Sequence, residues 1–176
     1  DAQESRGLGD VYKRQVKEEY LDLLRAVDSK VPNSSGDNYK GKKPFIGVVL
    51  QIGGHNFFAP LTSYKASQEK IKSSSCTAFK LHERGNPDNK LGLISLNYML
   101  PVPENALERF DLEGQEEKYK RMMYLQYEFI KANDVEILER ALKLYESVVV
   151  KRVPFLVNIS CKFSALIDKS REYSVR

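Results

Sequence analysis

The sequence of 176 residues has no tryptophan, only two cysteines and only two histidines. Cys76 and Cys161 lie far apart and form no C-x-x-C pair, which argues against a disulfide scaffold or a structural zinc site and fits a reducing compartment. No stretch approaches the roughly 18 apolar residues that a membrane-spanning helix needs. No charged segment followed by an apolar one opens the chain, so we expect no signal peptide and no membrane partner.

The sequence also lacks the motifs of common nucleotide-dependent enzymes. It contains no G-x-x-x-x-G-K-[ST] and no G-x-G-x-x-G, so neither an NTPase nor a dinucleotide enzyme is supported. Carboxylates are scarce between residues 30 and 84, which argues against a carboxylate-rich Mg²⁺ site there. His55 and His82 follow predicted strand ends, where a structural role is a simpler interpretation than acid–base catalysis. We therefore expect a function without metal or cofactor.

The charges are distributed unevenly along the chain. Residues 30–84 contain nine lysines or arginines and three acidic residues, whereas residues 85–176 contain fourteen of each kind. The first of these segments therefore carries more than the whole net charge of +4. Concentrated positive charge favours a polyanionic partner, because each phosphate contact releases counterions. A solvated basic face is the alternative interpretation.

The first fifteen residues differ from the rest of the chain. They show no apolar period, and the stretch GLGDVYKRQ resembles a translated sequencing adapter. We interpret residues 1–15 as a non-native tail, with the native start missing, and exclude them from the fold prediction. Residues 16–176 have the length of a single domain with its own hydrophobic core.

Strand patterns dominate the first half of this domain, after one helix predicted at 17–28. The apolar run 44–52 predicts a buried strand, and Gly53-Gly54 is a hairpin signal. The other predicted elements of this half are a return strand at 56–61 with Pro60 at an edge or bulge, a short polar helix at 66–73, strands at 76–82 and 91–100, and a turn at 84–89.

The second half changes to a helical period. Apolar residues three and four positions apart predict helices at 119–133 and 135–149, and a last helix is predicted at 162–173. A strand-rich half followed by a helical half is typical of an α+β domain with an antiparallel sheet.

One cluster of polar residues stands out, in the segment 59–65 (APLTSYK) at the end of a predicted strand. Thr62, Ser63 and Lys65 place two hydroxyls and an ammonium within four positions. Metal-independent cleavage of RNA by its own 2′-hydroxyl needs a base, donors for the charge on phosphorus, and an acid for the leaving 5′-oxygen. Lys, Tyr, Ser and Thr can fill such roles. The alternative is that the Thr-Ser pair merely caps a strand.

Four longer segments carry a resemblance to a known family. These segments are VPNSSGDNYKGKKPFIGVVLQI, GHNFFAPLTSYK, FKLHERGNPDNKLGLISLNYMLP and YKRMMYLQYEFIKAN. With them the sequence resembles, over roughly residues 20–133, the ToxN/AbiQ family, the endoribonuclease toxins of type III toxin–antitoxin and phage abortive-infection systems.

The resemblance implies a fold, an activity and a partner. The fold is a twisted antiparallel sheet or partial barrel of the Kid/MazF toxin type, wrapped by helices. The activity is metal-independent cleavage of A-rich RNA in the bacterial cytoplasm, which leaves a 2′,3′-cyclic phosphate and a 5′-hydroxyl. The implied partner is a repeat-derived RNA antitoxin, folded as a pseudoknot. Toxin and RNA would alternate in a closed hetero-oligomer, often with three copies of each.

The resemblance also assigns site residues. The family's catalytic tyrosine and lysine before the first core strand correspond to Tyr39 and Lys43. Its loop motif corresponds to Thr62, Ser63 and Lys65. Thr62 and Ser63 would orient the scissile phosphate, and Lys43 and Lys65 would stabilise its charge, one of them serving as acid or base. Tyr39 and Tyr20 would position the nucleotide or donate a proton.

Further residues are assigned to RNA binding. Tyr20 on the first helix and Gln126 on the long helix correspond to family positions. Gln126 interrupts an apolar stripe, so a buried amide bonded to the backbone is the alternative for it. The basic candidates are Lys42, Lys118, Lys120 and Arg121, of which the last three would contact antitoxin phosphates or simply solvate a helix. Phe57, Phe58 and Phe79 would stack on bases or, as the simpler reading, pack in the core.

Two other functions remain open from the sequence. A non-catalytic RNA-binding module would use the basic segment to hold a structured RNA. A protein-binding regulator with an incidentally basic surface would bind with little dependence on salt.

Overall fold

The computed structural model describes residues 14–32 and 45–176, and within these ranges it contains seven strands and five α-helices. The strands are β1 (Arg14–Val16), β2 (Gly47–Ile52), β3 (His55–Thr62), β4 (Ala78–Glu83), β5 (Asn86–Ser95), β6 (Leu100–Pro101) and β7 (Leu107–Arg109). The helices are α1 (Glu18–Val27), α2 (Glu117–Ala132), α3 (Asp134–Val149), α4 (Pro154–Ile159) and α5 (Phe163–Ser174), and short 3₁₀ helices span Ala66–Lys70, Leu96–Tyr98 and Glu104–Ala106.

The central sheet is antiparallel, with strand order β2-β3-β5-β4 and with β6 added to β3. It curls into a half-barrel, which confirms the predicted fold class. The predicted hairpin is also confirmed, because Ile52 of β2 pairs with His55 of β3. Gly53 and Gly54 both have positive φ, 58° and 80°, which two-residue hairpin turns require and glycine adopts without strain.

The strand β3 changes its partner along its length, and this change brings its end to the functional region. Phe57 and Phe58 pair with β6, whereas Leu61 and Thr62 pair with β5. Pro60 lies between these two pairings, in an interior strand rather than at the edge or bulge that we predicted. Proline, which has no N–H, is tolerated at this position because neither β6 nor β5 pairs with residue 60.

The predicted boundaries around β5 were wrong. The turn formers between 84 and 89 make only a two-residue turn, Arg84-Gly85, in which Gly85 has φ 76°. The strand β5 then begins at Asn86, and the 3₁₀ helix Leu96–Tyr98 replaces the predicted end of the strand. The register of the β4–β5 pair shifts near His82, which accommodates the extra residues of β5.

Helices cover the sheet and enclose one core. Helix α2 packs on β4 and β5, α3 on β2, and α5 on β6 and α1. All three helices predicted for the second half are confirmed within two residues, whereas α4 was not predicted although Pro154 marks its first turn. Phe57, Phe58 and Phe79 are at most 5% exposed, so they pack in the core and do not offer faces to RNA bases. None of the described helices combines the length and apolarity of a membrane span.

The short strand β1 includes the end of the segment that we interpreted as a tail. Residues 14 and 15 belong to β1, which pairs with β7, and Gln15 also forms a bridge to Ile46. The strand β1 lies directly before α1. The predicted tail boundary at residue 15 therefore falls inside a strand, with Val16 buried.

Candidate active site

A cavity of about 630 Å³ opens where β3 leaves β2 and joins β5. Its volume is within the range of pockets that hold small ligands or nucleotides. The described residues that line it are Ser29, Lys30, Val31, Pro32, Phe45, Ile46, Pro60, Leu61, Thr62, Ser63, Lys65, Ser95, Tyr98, Tyr119, Met122, Met123 and Gln126.

Thr62 and Ser63 lie together on one wall of this cavity. The hydroxyl oxygens of Thr62 and Ser95 are 3.3 Å apart, so the side chain of Thr62 is oriented by the end of β5. The backbone of Thr62 approaches Gly92 so closely that a Cβ on Gly92 would lie 1.9 Å from the Thr62 carbonyl oxygen. Gly92 also has φ 112°, a conformation that favours glycine. Only glycine at 92 therefore permits this arrangement of the two strands.

The cations of the described lining are Lys65 and Lys30, and no carboxylate belongs to this part of the lining. Lys65 is exposed and has no ion-pair partner among the described residues. Ammonium groups beside hydroxyls, on a wall whose described lining has no carboxylate, attract a phosphate. The described residues contain no group of three His, Cys, Asp or Glu side chains that could hold a metal ion.

The turn after α1 carries Lys30 to the cavity and is fixed by Asp28. The Asp28 carboxylate is buried, and it accepts hydrogen bonds from the backbone N–H groups of Lys30 at 3.0 Å and Lys162 at 2.7 Å. The N–H of Val31 also donates to the Asp28 carbonyl. The turn is therefore attached both to its own helix and to the start of α5, which holds the backbone of Lys30 in place.

Gln126 lies in the cavity wall on α2 and is buried. Its side-chain nitrogen donates a hydrogen bond of 2.9 Å to the Leu91 carbonyl, next to Gly92. The Gln126 amide is thus buried and bonded to the backbone, which was the alternative to RNA binding in the sequence analysis. The residue also lines the cavity. Its predicted role in RNA binding remains a prediction.

Tyr20 does not reach the cavity, and its assignment to direct RNA contact needs correction. Its side chain is fully buried, and its hydroxyl donates to the Pro101 carbonyl at 2.5 Å. Its ring packs against Tyr173, with centroids 4.8 Å apart. Burial raises the pKa of the Tyr20 hydroxyl to about 12, so it stays neutral at physiological pH. Tyr20 joins α1 to β6 and α5 in the core.

The basic residues at the start of α2 differ in their surroundings. Lys118 and Arg121 are exposed, whereas Lys120 pairs with Glu113 and Glu117 at 3.2 and 3.4 Å. These pairs raise the pKa of Lys120 and partly neutralise its charge. Lys118 and Arg121 therefore offer more positive charge to an RNA than Lys120 does.

Three predicted site residues, Tyr39, Lys42 and Lys43, lie outside the described residues. The described residues on either side of that segment, Pro32 and Phe45, both line the cavity. Phe45 is held there by its ring, which packs on Phe58 with centroids 5.2 Å apart.

The two histidines have their contacts outside the described cavity lining. His82 packs against Phe129 with ring centroids 4.2 Å apart, and its Nδ1 lies 2.8 Å from the Glu83 carbonyl oxygen. His55 begins β3 beside the hairpin turn. Neither histidine lines the described cavity.

Several lining residues were not predicted from the sequence. Lys30 was counted only within the basic segment 30–84, and Tyr119 only as the start of the helix predicted at 119–133. Ser95 ends β5 and Tyr98 ends the 3₁₀ helix that follows it, both far from Thr62 in sequence, and the strand predicted through residue 100 concealed them. Burial raises the pKa of the Tyr119 hydroxyl, which keeps it a neutral donor.

The described wall can bind and polarise a phosphodiester. The hydroxyls of Thr62 and Ser63 can donate to phosphate oxygens, and Lys65 can offset the negative charge that develops on phosphorus. Tyr98 and Tyr119 add aromatic surface on which a base can stack.

The sequence of this chain matches known toxins along most of its length. The family model "Toxin ToxN, type III toxin-antitoxin system" matches residues 13–170. Endoribonuclease ToxN of Pectobacterium atrosepticum is 40% identical over 159 residues, which cover 90% of this chain and 91% of that protein. Endoribonuclease AbiQ of Lactococcus lactis subsp. lactis is 32% identical over 163 residues, which cover 90% and 87%.

Solved structures show the same similarity. One, of an antiviral system regulated by a processed non-coding RNA, has a TM-score of 0.80 at 40% identity and covers 90% of this chain and 96% of its own. A second, described for selective toxin inhibition by a non-coding RNA pseudoknot, has a TM-score of 0.75 at 31% identity and covers 93% and 97%. The lactococcal anti-phage endoribonuclease AbiQ has a TM-score of 0.79 at 29% identity and covers 93% and 99%.

Proposed function

The chain belongs to the ToxN family of type III toxin–antitoxin systems and is an endoribonuclease toxin, and we propose that it cleaves A-rich RNA by attack of the 2′-hydroxyl, without a metal ion. The observation that carries this proposal is the cavity that unites Thr62, Ser63 and Lys65 beside Gln126. Its described lining offers donors and cations to a phosphate, and no carboxylate that would repel one.

In the proposed reaction, a base removes the proton of the 2′-hydroxyl, and the oxygen attacks the adjacent phosphorus. The P–O bond to the 5′-oxygen breaks, and an acid returns a proton to that oxygen, so the products end in a 2′,3′-cyclic phosphate and a 5′-hydroxyl. Thr62 and Ser63 orient the phosphate, and Lys65 stabilises the additional negative charge of the pentacoordinate phosphorus.

Lys43 and Tyr39 complete the proposed site. Lys43 is two residues before Phe45 in the sequence, and Phe45 lines the cavity. Lys43 stabilises charge on the phosphate in this proposal, and either Lys43 or Lys65 serves as the acid or base. Tyr39 positions the nucleotide or supplies a proton, and Lys42 contributes to RNA binding.

We further propose that an RNA antitoxin inhibits the toxin by occupying the same cavity. Two of the similar solved structures concern non-coding RNAs that regulate or inhibit their toxins, one of them a pseudoknot. The antitoxin of this chain is proposed to be processed from a repeat array into such pseudoknots. Toxin and RNA then alternate in a cyclic assembly of three copies each, which acts against phage in the bacterial cytoplasm.

The activity is tested with purified protein, an A-rich RNA and an excess of EDTA. The proposal predicts fragments whose 5′ ends accept phosphate from a kinase without prior phosphatase treatment, and whose 3′ ends are cyclic phosphates. Ser63→Ala protein, prepared in parallel, reports contaminating ribonucleases. Intact RNA, or fragments with 5′-phosphates, would contradict the proposed chemistry.

The antitoxin is tested separately. A transcript of any tandem repeat array directly upstream of the gene is added to the cleavage reaction, with a shuffled repeat as control. We expect inhibition by the native repeat alone, and a complex whose mass by light scattering corresponds to three toxins and three repeats. Equal inhibition by both RNAs would contradict specific recognition.

A further inference from the structure

We infer that Gln68 is a positioning residue for the Thr62-Ser63 pair, and this inference rests on the proposed function of that pair. The segment from Ser63 to Lys65 has no regular secondary structure, although it carries two of the proposed catalytic groups. A loop of this kind places a hydroxyl accurately only if other side chains hold its backbone.

Gln68 holds this backbone directly. Its side chain is buried, with 8% exposure, and its Nε2 donates a hydrogen bond of 2.9 Å to the Ser63 carbonyl. A carbonyl oxygen only accepts hydrogen bonds, so the group that faces it must be the amide NH₂ of Gln68. No other uncharged side chain except asparagine supplies such an amide, and asparagine is one carbon shorter.

The 3₁₀ helix Ala66–Lys70 presents Gln68 at the correct place. The Gln68 N–H donates to the Lys65 carbonyl at 2.9 Å, and the Gln68 carbonyl accepts from Ile71 at 3.1 Å. The two ends of the loop segment, Ser63 and Lys65, are therefore both bonded to Gln68, one through its side chain and one through its backbone. A single residue thus closes the turn that contains the proposed catalytic groups.

A second contact to the same loop is weaker because it is exposed. The Tyr64 hydroxyl donates to Glu69 at 3.0 Å, and Lys90 donates to the same carboxylate oxygen at 2.6 Å. Lys90 also lies 5.6 Å from the centre of the Tyr64 ring. Ion pairs in water contribute little, so the buried amide of Gln68 is the main attachment of the loop on this side.

The consequence for catalysis is an accurate position of the Ser63 hydroxyl. Rotation of the Ser63 peptide would move this hydroxyl relative to Lys65 and to the phosphate. Displacements of about 1 Å cost on the order of 100-fold in rate when they affect reacting groups. Loss of the Gln68 amide should therefore reduce the rate of the chemical step more than it reduces RNA binding.

The experiment uses Gln68→Glu, which retains the shape of the side chain and makes its hydrogen bond depend on pH. An ionised carboxylate cannot donate to the Ser63 carbonyl and repels it, whereas a protonated carboxyl can donate. Burial and this bond both favour the protonated form, so the pKa of the new carboxyl should exceed the usual value of about 4.3. We measure single-turnover cleavage relative to wild type from about pH 8 to about pH 5.5.

We expect Gln68→Glu to be at least about ten-fold slower than wild type at the upper pH and to recover as the pH falls. Gln51→Glu is the matched control, because Gln51 is exposed on β2 away from the cavity, and its activity ratio should stay constant. Gln68→Met, of similar length but without a donor, should be slow at every pH. RNA affinity, measured with Ser63→Ala in each background, should change less than about three-fold.

The outcomes separate this inference from the proposed function. If wild type does not cleave RNA, the proposed function fails, and the loop geometry has no catalytic consequence. If wild type cleaves but Gln68→Met is equally fast, the inference is overturned while the function stands. A Gln68→Glu rate that does not depend on pH, in a protein that melts as wild type does, would likewise overturn it.

Discussion

One wall of the cavity comes from the ends of β3 and β5, and another comes from the turn after α1. The strand wall carries Ser63 and Thr62, and the Thr62 side chain is oriented by Ser95 while its backbone closely approaches Gly92. The turn wall carries Lys30, whose backbone is fixed by Asp28 while its side chain remains half-buried. From this difference we propose that the strand wall acts on the scissile phosphate and that the turn wall binds the RNA beside it.

The largest effect should come from the strand wall, at Ser63. Ser63→Ala removes a donor to the phosphate and should slow cleavage about 100- to 1,000-fold. It should also abolish growth inhibition in cells without changing the melting temperature. Single-turnover kinetics measure the rate, and Ser74→Ala, at an exposed serine, is the matched control. Full toxicity of Ser63→Ala would remove the strand wall from the mechanism.

The second largest effect should come from Lys65→Ala. We expect a loss of about 100-fold in cleavage rate, because the negative charge that develops at phosphorus loses its counter-charge. Lys65→Arg should restore part of the rate if charge stabilisation is the role, and little of it if Lys65 transfers a proton. Exposed Lys72 provides the control substitution to alanine. Wild-type rates for Lys65→Ala would show that Lys65 only solvates the loop.

The turn wall should affect binding rather than chemistry. In a Ser63→Ala background, Lys30→Ala should weaken binding of single-stranded RNA about ten-fold and lower the slope of log K against log salt by about 0.7, the value for one lost phosphate contact. Lys70→Ala, outside the cavity lining, should leave the slope unchanged. If Lys30→Ala left the slope unchanged and slowed the chemical step, Lys30 would act in catalysis rather than in RNA binding, which would contradict the proposed roles of the two walls.

The smallest effect should come from the exposed contact beside the strand wall. Hydrogen bonds from Lys90 and Tyr64 lower the pKa of Glu69, so any stability it contributes is present above its unfolded pKa and is lost as the pH falls through the folded pKa. Glu69→Gln should therefore reduce only slightly the fall of the melting temperature between neutral and acidic pH. Glu139→Gln, at an exposed glutamate on α3, is the control. If Glu69→Gln greatly changed this pH dependence of the melting temperature, Glu69 rather than Gln68 would be the residue that holds the loop.

The comparison of the walls also shows what could be predicted from the sequence. The strand wall was identifiable, because Thr62, Ser63 and Lys65 are neighbours in the chain and lie at a predicted strand end. Gly53-Gly54 fixed the hairpin that leads there, since its turn chemistry is local. Their catalytic roles remain predictions.

The turn wall was not identifiable, because its assembly depends on contacts between distant residues. Lys30 is held by Asp28, which is bonded in turn to Lys162 at the start of α5. Tyr20 was misassigned for the same reason. A tyrosine on an apolar helix face points inward, and only the position of Pro101 shows that its hydroxyl is already bonded.

The most direct test of the proposed chemistry removes the nucleophile from the substrate. Once the cleavage position in an A-rich RNA is mapped, a second RNA is synthesised with a single 2′-deoxyribose on the 5′ side of that bond. The proposed mechanism predicts that wild-type protein binds both RNAs with similar affinity in EDTA and cleaves only the all-ribose RNA at that bond. Cleavage of the deoxy-substituted bond would contradict 2′-hydroxyl attack and require a different nucleophile.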